Sequence, residues 1–270
     1  VRVDSTGTRQ VVATGLEDPV WVAGSFDGDH AYVGLFHSGQ IARVSLRNGT
    51  TETIATNLSC PEGVALDADD TGLLYVVENP VGDECQSTFP LKAAAQLTRI
   101  DLSTGVQTKV ADLRSTPGGE EEGGPHGLAV QDGFAFVCDC PAGSATLTQV
   151  DLASGATSNV TSLASPSGCA VGGTYAYVVE QGSDDGQLVR VNLVDAPGAP
   201  RGTKVTLVGG LAGPMGVAVD VQGGYVYVEE RHTNQVQRVS LSTGKAEVLV
   251  TGLNSPIGLG VVGRGTSGSA

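Results

Sequence analysis

Short stretches of this chain alternate apolar and polar residues with a period of two, which is typical of β-strands with one buried face. In one representative unit, Met215–Val219 and Tyr225–Val228 are apolar runs, Gln235–Leu241 alternates, and Ala246–Val250 follows a Ser-Thr-Gly turn. We predict that these are four successive strands, A to D, separated by tight glycine turns. No segment keeps the 3.6-residue period of a helix, so the pattern predicts an all-β protein.

The four-strand unit recurs along the chain, and each copy begins with Pro-x-Gly or a variant of it. The marker prolines are Pro19, Pro61, Pro125, Pro166, Pro214 and Pro256. They are 42, 64, 41, 48 and 42 residues apart. A period in this range, built from short strands, is typical of the blades of a β-propeller.

Six markers predict a six-bladed propeller of four-stranded antiparallel blades, with the ring closed by both termini. We predict that strand A of the sixth blade is formed by Pro256–Val262. Its strand C and the following turn are expected at Val1–Gly7, and its strand D at Thr8–Ala13. No strand B is found for this blade, so either it has three strands or residues outside this sequence complete it. A closed ring has no open sheet edge and makes residues 1–270 one domain, with 263–270 expected to be a flexible tail.

Composition narrows the possible partners. The chain has 15 Lys and Arg against 29 Asp and Glu, a formal net charge of −14. Nucleic acids and anionic membranes require a basic surface, so this acidic protein is not expected to bind either. No run of about 18 apolar residues is present, and no membrane span is predicted. We expect a monomer that acts on a small molecule.

Five cysteines are present, and an odd number cannot all pair within one chain. Cys60 precedes a strand A and Cys85 follows strand B of the same unit, so a Cys60–Cys85 disulfide is predicted. Cys140 either pairs with Cys169 or stays free. Structural disulfides favour a secreted or periplasmic protein, whose signal peptide would not be part of this sequence.

The connections between strands fall on two rims because successive strands run in opposite directions. The A–B and C–D turns are short and share what we call the short-turn rim. The B–C and D–A connections share the long-loop rim, which carries the longest predicted loops, 79–95 and 116–124. Long loops on a rigid scaffold usually carry function, so we expect the site at the axial mouth of the long-loop rim.

Two positions of the repeat place side chains at this mouth. The residue after the marker proline is Val20, Glu62, His126, Ser167, Met215 or Ile257, and the residue that ends strand B is Leu35, Glu78, Asp139, Glu180 or Glu230. We expect the polar members to converge on the axis, namely Glu62, Glu78, His126, Asp139, Glu180 and Glu230. Carboxylates held close together are stabilised by a bound cation, and their oxygens favour Ca²⁺ or Mg²⁺. If the imidazole of His126 is also a ligand, Zn²⁺ or Mn²⁺ can bind as well. The alternative is that these acids are solvated or pair with arginines such as Arg231.

Two histidines are candidate catalytic bases. His126 lies in a glycine-flanked turn at the expected axis, where it has little apolar reason to be. His232 follows Glu230 and Arg231, so one segment offers a metal ligand and a general base. His37, Arg231 and Met215 are expected to contact substrate, since all three lie towards the same rim.

The phrases Pro-x-Gly-apolar-Ala, Tyr-Val-x-Glu and Arg-Val-x-Leu-x-x-Gly resemble the NHL-type six-bladed propellers over essentially the whole chain. Pro125-His126-Gly127 and the strand-ending glutamates are also similar to the streptogramin lyases. That resemblance implies Mg²⁺-binding glutamates and a histidine base for C–O elimination.

Leu16-Glu17-Asp18-Pro19-Val20-Trp21 is similar to the start of the gluconolactonase and paraoxonase-like group. This resemblance implies that Glu17 is a metal ligand and that Trp21 lies at the substrate site. From the residues and the resemblances together, we predict a divalent-metal-dependent hydrolase or lyase acting on a small ester, lactone or cyclic substrate. The alternative is a non-catalytic propeller that binds a peptide, protein or glycan through its long loops.

Overall fold

Five four-stranded antiparallel sheets form the body of the protein. The computed structural model describes residues 1–67, 72–79, 94–113, 124–140, 144–181 and 185–262. In each of the five sheets the strands follow in the order A-B-C-D, as predicted, so the all-β propeller with four-stranded blades is confirmed. Within the described ranges, no helix is long and apolar enough to cross a lipid bilayer.

The strands of the five blades follow the predicted pattern closely. Blade one contains β3 (Pro19–Gly24), β4 (His30–Leu35), β5 (Gln40–Ser45) and β6 (Thr51–Ala55). Blade two contains β7 (Pro61–Leu66), β8 (Leu73–Glu78), β9 (Gln96–Asp101) and β10 (Gln107–Asp112). Blade three contains β11 (Pro125–Gln131), β12 (Phe134–Asp139), β13 (Thr146–Asp151) and β14 (Thr157–Ser162). Blade four contains β15 (Pro166–Gly172), β16 (Tyr175–Glu180), β17 (Gly186–Asn192) and β18 (Lys204–Leu211). Blade five contains β19 (Pro214–Asp220), β20 (Tyr225–Glu230), β21 (Gln235–Ser240) and β22 (Ala246–Val250).

The prediction of six blades is wrong, because the described residues form five. At the sixth position of the ring, β1 (Arg2–Val3) and β2 (Arg9–Gln10) pair only with each other. Residues 256–262 lie between β19 and β3 but form no strand. A strand requires a hydrogen-bonded neighbour, and the described part of the chain supplies no strand B between this segment and β1.

The N-terminal segment nevertheless joins blade five to blade one. The Arg9 guanidinium donates to the carbonyl of Gly252 at 2.6 Å, and Arg238 of β21 donates to the carbonyl of Ser5 at 3.3 Å. On the other side, Val12 and Leu16 pack against the buried side chains of blade one. The N-terminal residues therefore contact both neighbouring blades without forming the predicted sixth blade, and the predicted tail, 263–270, lies outside the described residues.

Adjacent blades are held together by shared apolar clusters. One cluster joins blades one and two, and equivalent clusters join two to three, three to four and four to five. Their members are mainly Val, Leu, Ile, Ala and Tyr on strands A, B and C, whose alternation sends one face to each neighbouring blade. The core is thus divided among the blade interfaces, as 40% hydrophobic content allows.

A β-bulge at the start of each strand A shapes the axis. In all five blades the pairing of strands A and B shifts between the marker proline and the third residue after it. The two residues inside the bulge are released from pairing, and bulges commonly re-aim side chains in this way. They are the variable residue and, in blades two to five, the glycine of Pro-x-Gly.

The bulge glycines allow the inner strands to approach each other closely. A Cβ on Gly127 would lie 2.6 Å from the carbonyl oxygen of Ser167 in the next blade, and a Cβ on Gly216 would lie 2.9 Å from the nitrogen of Leu259. Gly63 meets the carbonyl of His126 in the same way. Any larger residue would force the inner strands apart, which explains why glycine recurs here.

Candidate functional site

The glutamates that end strand B are held in a repeated hydrogen-bonded arrangement, which we call the glutamate clamp. In blades two, four and five the carboxylate accepts hydrogen bonds from a backbone N–H two residues before the marker proline and from a glutamine that is the first or second residue of strand C. The bonds are Ser59 (2.7 Å) and Gln96 (2.9 Å) to Glu78, Ala164 (2.7 Å) and Gln187 (2.6 Å) to Glu180, and Ala212 (2.8 Å) and Gln235 (2.9 Å) to Glu230. The clamp ties the D–A connection to strands B and C.

These glutamates are buried. Glu78, Glu180 and Glu230 are only 4%, 2% and 2% exposed, and further donors reach them: Thr98 to Glu78, and Gln237 to Glu230. Lys204 lies 3.6 Å from Glu180. A buried carboxylate satisfied by several donors is structurally stable without a cation. The sequence showed that acids end strand B but not that donors already surround them.

The predicted axial cluster of metal ligands is not formed among the described residues. Within those ranges, no group of three or more His, Cys, Asp or Glu side chains is arranged to hold a metal ion. The carboxylates of the three clamped glutamates accept hydrogen bonds within their own blades and the connections that lead into them. The binding of a metal stays a prediction.

One ionisable pair does lie at the axial mouth. The imidazole Nδ1 of His126 is 2.5 Å from a carboxylate oxygen of Glu62, and both residues follow a marker proline in neighbouring blades. Their side chains are 35% and 15% exposed, so the pair is accessible from the long-loop rim. The sequence predicted that these two residues converge, and the bulges of β7 and β11 bring them together.

The charge state of this pair favours a protonated histidine. Burial disfavours the imidazolium, but the carboxylate of Glu62, through its charge and its hydrogen bond, outweighs burial and raises the pKa of His126. The nearby charge of Asp139, a buried residue at the end of β12, acts in the same direction. A carboxylate that orients one ring nitrogen leaves the other available to a ligand or a substrate.

The other residues after the marker prolines complete the mouth. Val20, Met215 and Ile257 are half-buried apolar side chains, and the sulfur of Met215 receives a hydrogen bond from the Gln181 amide at 2.6 Å. The buried hydroxyl of Ser167 donates to the carbonyls of Pro214 and Met215, both at 3.1 Å. Of the six residues that follow the marker prolines, three are therefore apolar, one carries a hydroxyl and two form the charged pair.

Trp21 closes the axis below this mouth. It occupies the repeat position that holds glycine elsewhere, and its Cη2 lies 3.3 Å from the place a Cβ on Gly168 would take. Blades one and four face each other across the ring, so the indole spans the axis. Its exposure of 7% agrees with this position. The sequence singled out Trp21 as a substrate contact, and the structure makes it the floor of the mouth.

The remaining predicted site residues lie apart from the His126–Glu62 pair. His232 and Arg231 are exposed, and the His232 ring lies against Gly213. His37 forms a separate exposed pair with Asp18 at 2.7 Å, and Glu17 is exposed. The predicted roles of His232 as a base and of Glu17 as a metal ligand stay predictions, as do the substrate contacts of His37 and Arg231.

The cysteines are resolved in part. Cys138, Cys140 and Cys169 are free thiols, so of the two alternatives for Cys140 it stays free. Burial raises the pKa of Cys138 well above its usual range and that of Cys140 to about 12, which makes both thiols poor nucleophiles. The predicted partner of Cys60 is Cys85, which lies outside the described residues, and that disulfide stays a prediction.

One buried carboxyl group escaped the sequence analysis. Glu229 is 1% exposed and accepts hydrogen bonds at Oε2 from the backbone of Gly216 (3.0 Å) and Gly258 (3.2 Å). Among the described residues its Oε1 has no hydrogen-bond partner. Burial raises the pKa of Glu229 to about 8. The sequence did contain a signal for it: adjacent strand residues face opposite sides of a sheet, so of Glu229 and Glu230 at the end of strand B only one can point in the direction taken by the other strand-ending acids.

The chain has no match among protein-family models, and no curated protein matches it. Solved structures do resemble it. A chain of a nidogen/laminin complex superposes with a TM-score of 0.69 at 17% identity, covering 91% of this chain and 85% of that one. The PQQ-bound aldose sugar dehydrogenase of Streptomyces coelicolor superposes with a TM-score of 0.69 at 15% identity, covering 97% and 93%.

A protein of unknown function from Bacteroides thetaiotaomicron also superposes with a TM-score of 0.69, at 11% identity, covering 93% of this chain and 66% of its own. At such identities the likenesses show the propeller fold alone. They agree with the β-propeller arrangement of the five four-stranded sheets.

Proposed function

We propose that this protein is a binding propeller that holds its ligand at the axial mouth of the long-loop rim, through the His126–Glu62 pair. The observation that carries the proposal is the state of the other acids. The carboxylate oxygens of Glu78, Glu180 and Glu230 already accept hydrogen bonds within the glutamate clamp. His126 and Glu62, in contrast, are partly exposed at the mouth above Trp21.

The chemistry of the mouth favours a peptide segment of a partner protein. Val20, Met215 and Ile257 offer apolar contact, and His126 offers a hydrogen-bond donor to a peptide carbonyl or carboxylate. Binding sites commonly combine an apolar lining with a few placed polar groups. One structural neighbour was solved as part of a nidogen/laminin complex, so the fold is compatible with protein recognition.

A random peptide array tests this proposal. The intact chain should retain a family of peptides, and His126→Ala should weaken their binding about tenfold or more, as expected when a hydrogen bond to a charged group is lost. His30→Ala serves as the matched control, because His30 begins β4 at the opposite rim. Equal binding by both variants would reject the mouth as the site, and so would no specific peptide at all.

An enzyme is the second candidate, supported by the 2.5 Å contact between His126 and Glu62. A carboxylate-oriented imidazole is a common general base, and the predicted substrates are small esters, lactones or cyclic compounds that lose a C–O bond. Pro125-His126-Gly127 is also similar to the streptogramin lyases, a family that uses a histidine base. Membership of the NHL group is part of this proposal.

Metal titration separates the two candidates. Chelator-treated protein would be titrated with Ca²⁺, Mg²⁺, Mn²⁺ and Zn²⁺ by calorimetry, beside elemental analysis of untreated protein and an ester and lactone screen. Turnover that requires one of these ions and is lost in Glu62→Gln would favour the metal-dependent hydrolase or lyase. Peptide binding without turnover, unchanged by chelator, would favour the binding propeller.

A further inference from the structure

A second cavity lies on the axis, on the other side of Trp21. Its volume is about 160 Å³, and it extends from the indole to Phe26 in the A–B turn of blade one. The inner segments of all six ring positions line it at equivalent places in the repeat, beginning with Val22, Val64, Leu128, Cys169, Val217 and Leu259. The cavity opens at the short-turn rim and is thus separate from the mouth that contains His126.

The lining determines which ligands this cavity accepts. No charged side chain of the described residues lines it, so an ion would lose its hydration without gaining a partner. Strand A is nevertheless the edge strand of each sheet, and its free edge faces the axis. Backbone N–H and C=O groups at such an edge are available for hydrogen bonding. The cavity therefore suits an uncharged molecule with an apolar body and a polar group.

The size of the cavity sets an upper limit on the ligand. An apolar cavity of about 150 Å³ is large enough for one benzene ring. We propose that the axial cavity below Trp21 binds a small uncharged ring compound that carries a hydroxyl group or a similar polar substituent. The site is independent of the proposed function, since Trp21 separates the two ends of the axis.

The unique tryptophan of the chain makes the proposal directly measurable. Trp21 is the only Trp and lines the cavity, so its emission responds to an occupant. Benzyl alcohol, an uncharged ring of suitable size, should change the emission of the full chain in a saturable way. Benzoate, a charged ring of nearly the same size, should give no saturable change over the same concentrations. Equal responses to both, or no saturable response to benzyl alcohol, would overturn the proposal.

Two variants locate the ligand. Ala23 is half-buried and lines the cavity, so Ala23→Leu should fill part of the space and weaken the binding of benzyl alcohol at least tenfold. Ala153→Leu, in an exposed C–D turn, adds the same volume elsewhere and should change nothing. If a correctly folded Ala23→Leu binds as well as the wild type, the proposal is wrong.

Methyl NMR of the wild-type protein keeps the test decisive if Ala23→Leu fails to fold. Benzyl alcohol should shift the methyl resonances of Val64, Val130 and Val219, which line the cavity, and leave exposed Val106 unchanged. Shifts confined to exposed residues would overturn the proposal. His126→Ala should bind benzyl alcohol like the wild type. A loss of binding in this variant would show that the ligand binds at the mouth that contains His126, and the proposal would be wrong.

Discussion

At the scale of single residues, Glu229 and His126 illustrate how position in the ring controls ionisation. Glu229 lies between β19 and the segment 256–262, out of reach of solvent, and its pKa is raised to about 8 by burial. His126 lies at the open mouth, and the negative charge of Glu62 raises its pKa despite partial burial. In the folded protein both groups have a raised pKa, so folding favours their protonated forms and the free energy of unfolding depends on pH.

Glu229→Gln should remove a pH dependence of stability. Between about pH 4.5 and pH 8 the folded protein holds a proton on Glu229 that the unfolded chain releases, so the free energy of unfolding falls as pH rises through this window. The slope from one such group approaches about 1.4 kcal/mol per pH unit. Urea unfolding at several pH values should show the variant matching the wild type near pH 4.5 and exceeding it at pH 8.5. Parallel profiles would contradict the assignment.

Glu62→Gln should lower the pKa of His126, because it removes the carboxylate whose attraction outweighs burial. The raised pKa means that the pair stabilises the fold at pH values below the ordinary histidine pKa, and that this contribution is lost as pH rises through the raised value. NMR titration of the imidazole measures the shift directly. Asp18→Asn, which breaks the separate pair with His37, should leave the pKa of His126 unchanged.

At the scale of elements, the hydrogen bonds of the glutamate clamp indicate that glutamates predicted to bind a metal stabilise the fold instead. Glu180→Ala removes the buried carboxylate that accepts hydrogen bonds from the Ala164 N–H and the Gln187 amide, and should lower the free energy of unfolding by about 3 kcal/mol. Denaturant unfolding measures the loss. Glu247→Ala, on an exposed strand D, should change stability little. Unchanged stability in Glu180→Ala, together with a lost cation site, would restore the metal interpretation.

The bulge glycines give a second prediction for the elements. In Gly127→Ala the new Cβ would meet the Ser167 carbonyl at 2.6 Å, and overpacking of this kind costs about 1–3 kcal/mol or more. Gly209 of β18 has open space around its Cα, so Gly209→Ala should be neutral or stabilise by up to about 1 kcal/mol. Thermal unfolding compares the two. Equal melting temperatures would refute the close packing of β11 against β15.

The elements also show how far the sequence could be interpreted. Strand periodicity, turn glycines and marker prolines depend on local geometry, so strands such as β19 to β22 were predicted nearly residue by residue. The convergence of Glu62 and His126 followed from the repeat. The clamp could not be predicted, because the distance from Glu180 to a backbone N–H sixteen residues earlier depends on loop conformation. The acids at strand ends were therefore assigned to a metal.

At the scale of the whole molecule, we expect the shared blade interfaces to make the ring unfold as one cooperative unit. Each apolar cluster draws side chains from two adjacent blades, so losing one blade exposes the faces of both neighbours. The emission of Trp21 on blade one and the far-UV circular dichroism of all blades should therefore lose their native values in a single coincident transition. An earlier change in Trp21 would show that blade one unfolds separately.

The count of blades marks the limit of sequence analysis at this scale. Each terminal segment carries the local pattern of a strand, and the sequence accordingly predicted a sixth blade. Whether a segment becomes a strand depends on its neighbours, and 256–262 has none to pair with among the described residues. The sequence repeat therefore predicts the blades in the middle of the chain, where each strand has its partner strand, better than it predicts the terminal segments.

The N-terminal segment also determines how the ring would respond to mechanical load. Among the described residues, Arg9 donates to the carbonyl of Gly252 and Arg238 donates to that of Ser5, and these two contacts link the first residues to blade five. A force that pulls on the N-terminus would load these few bonds one after another, whereas the four-stranded blades share a load among many. The ring should consequently yield first where it is closed, opening into a curved row of blades before any blade is torn apart.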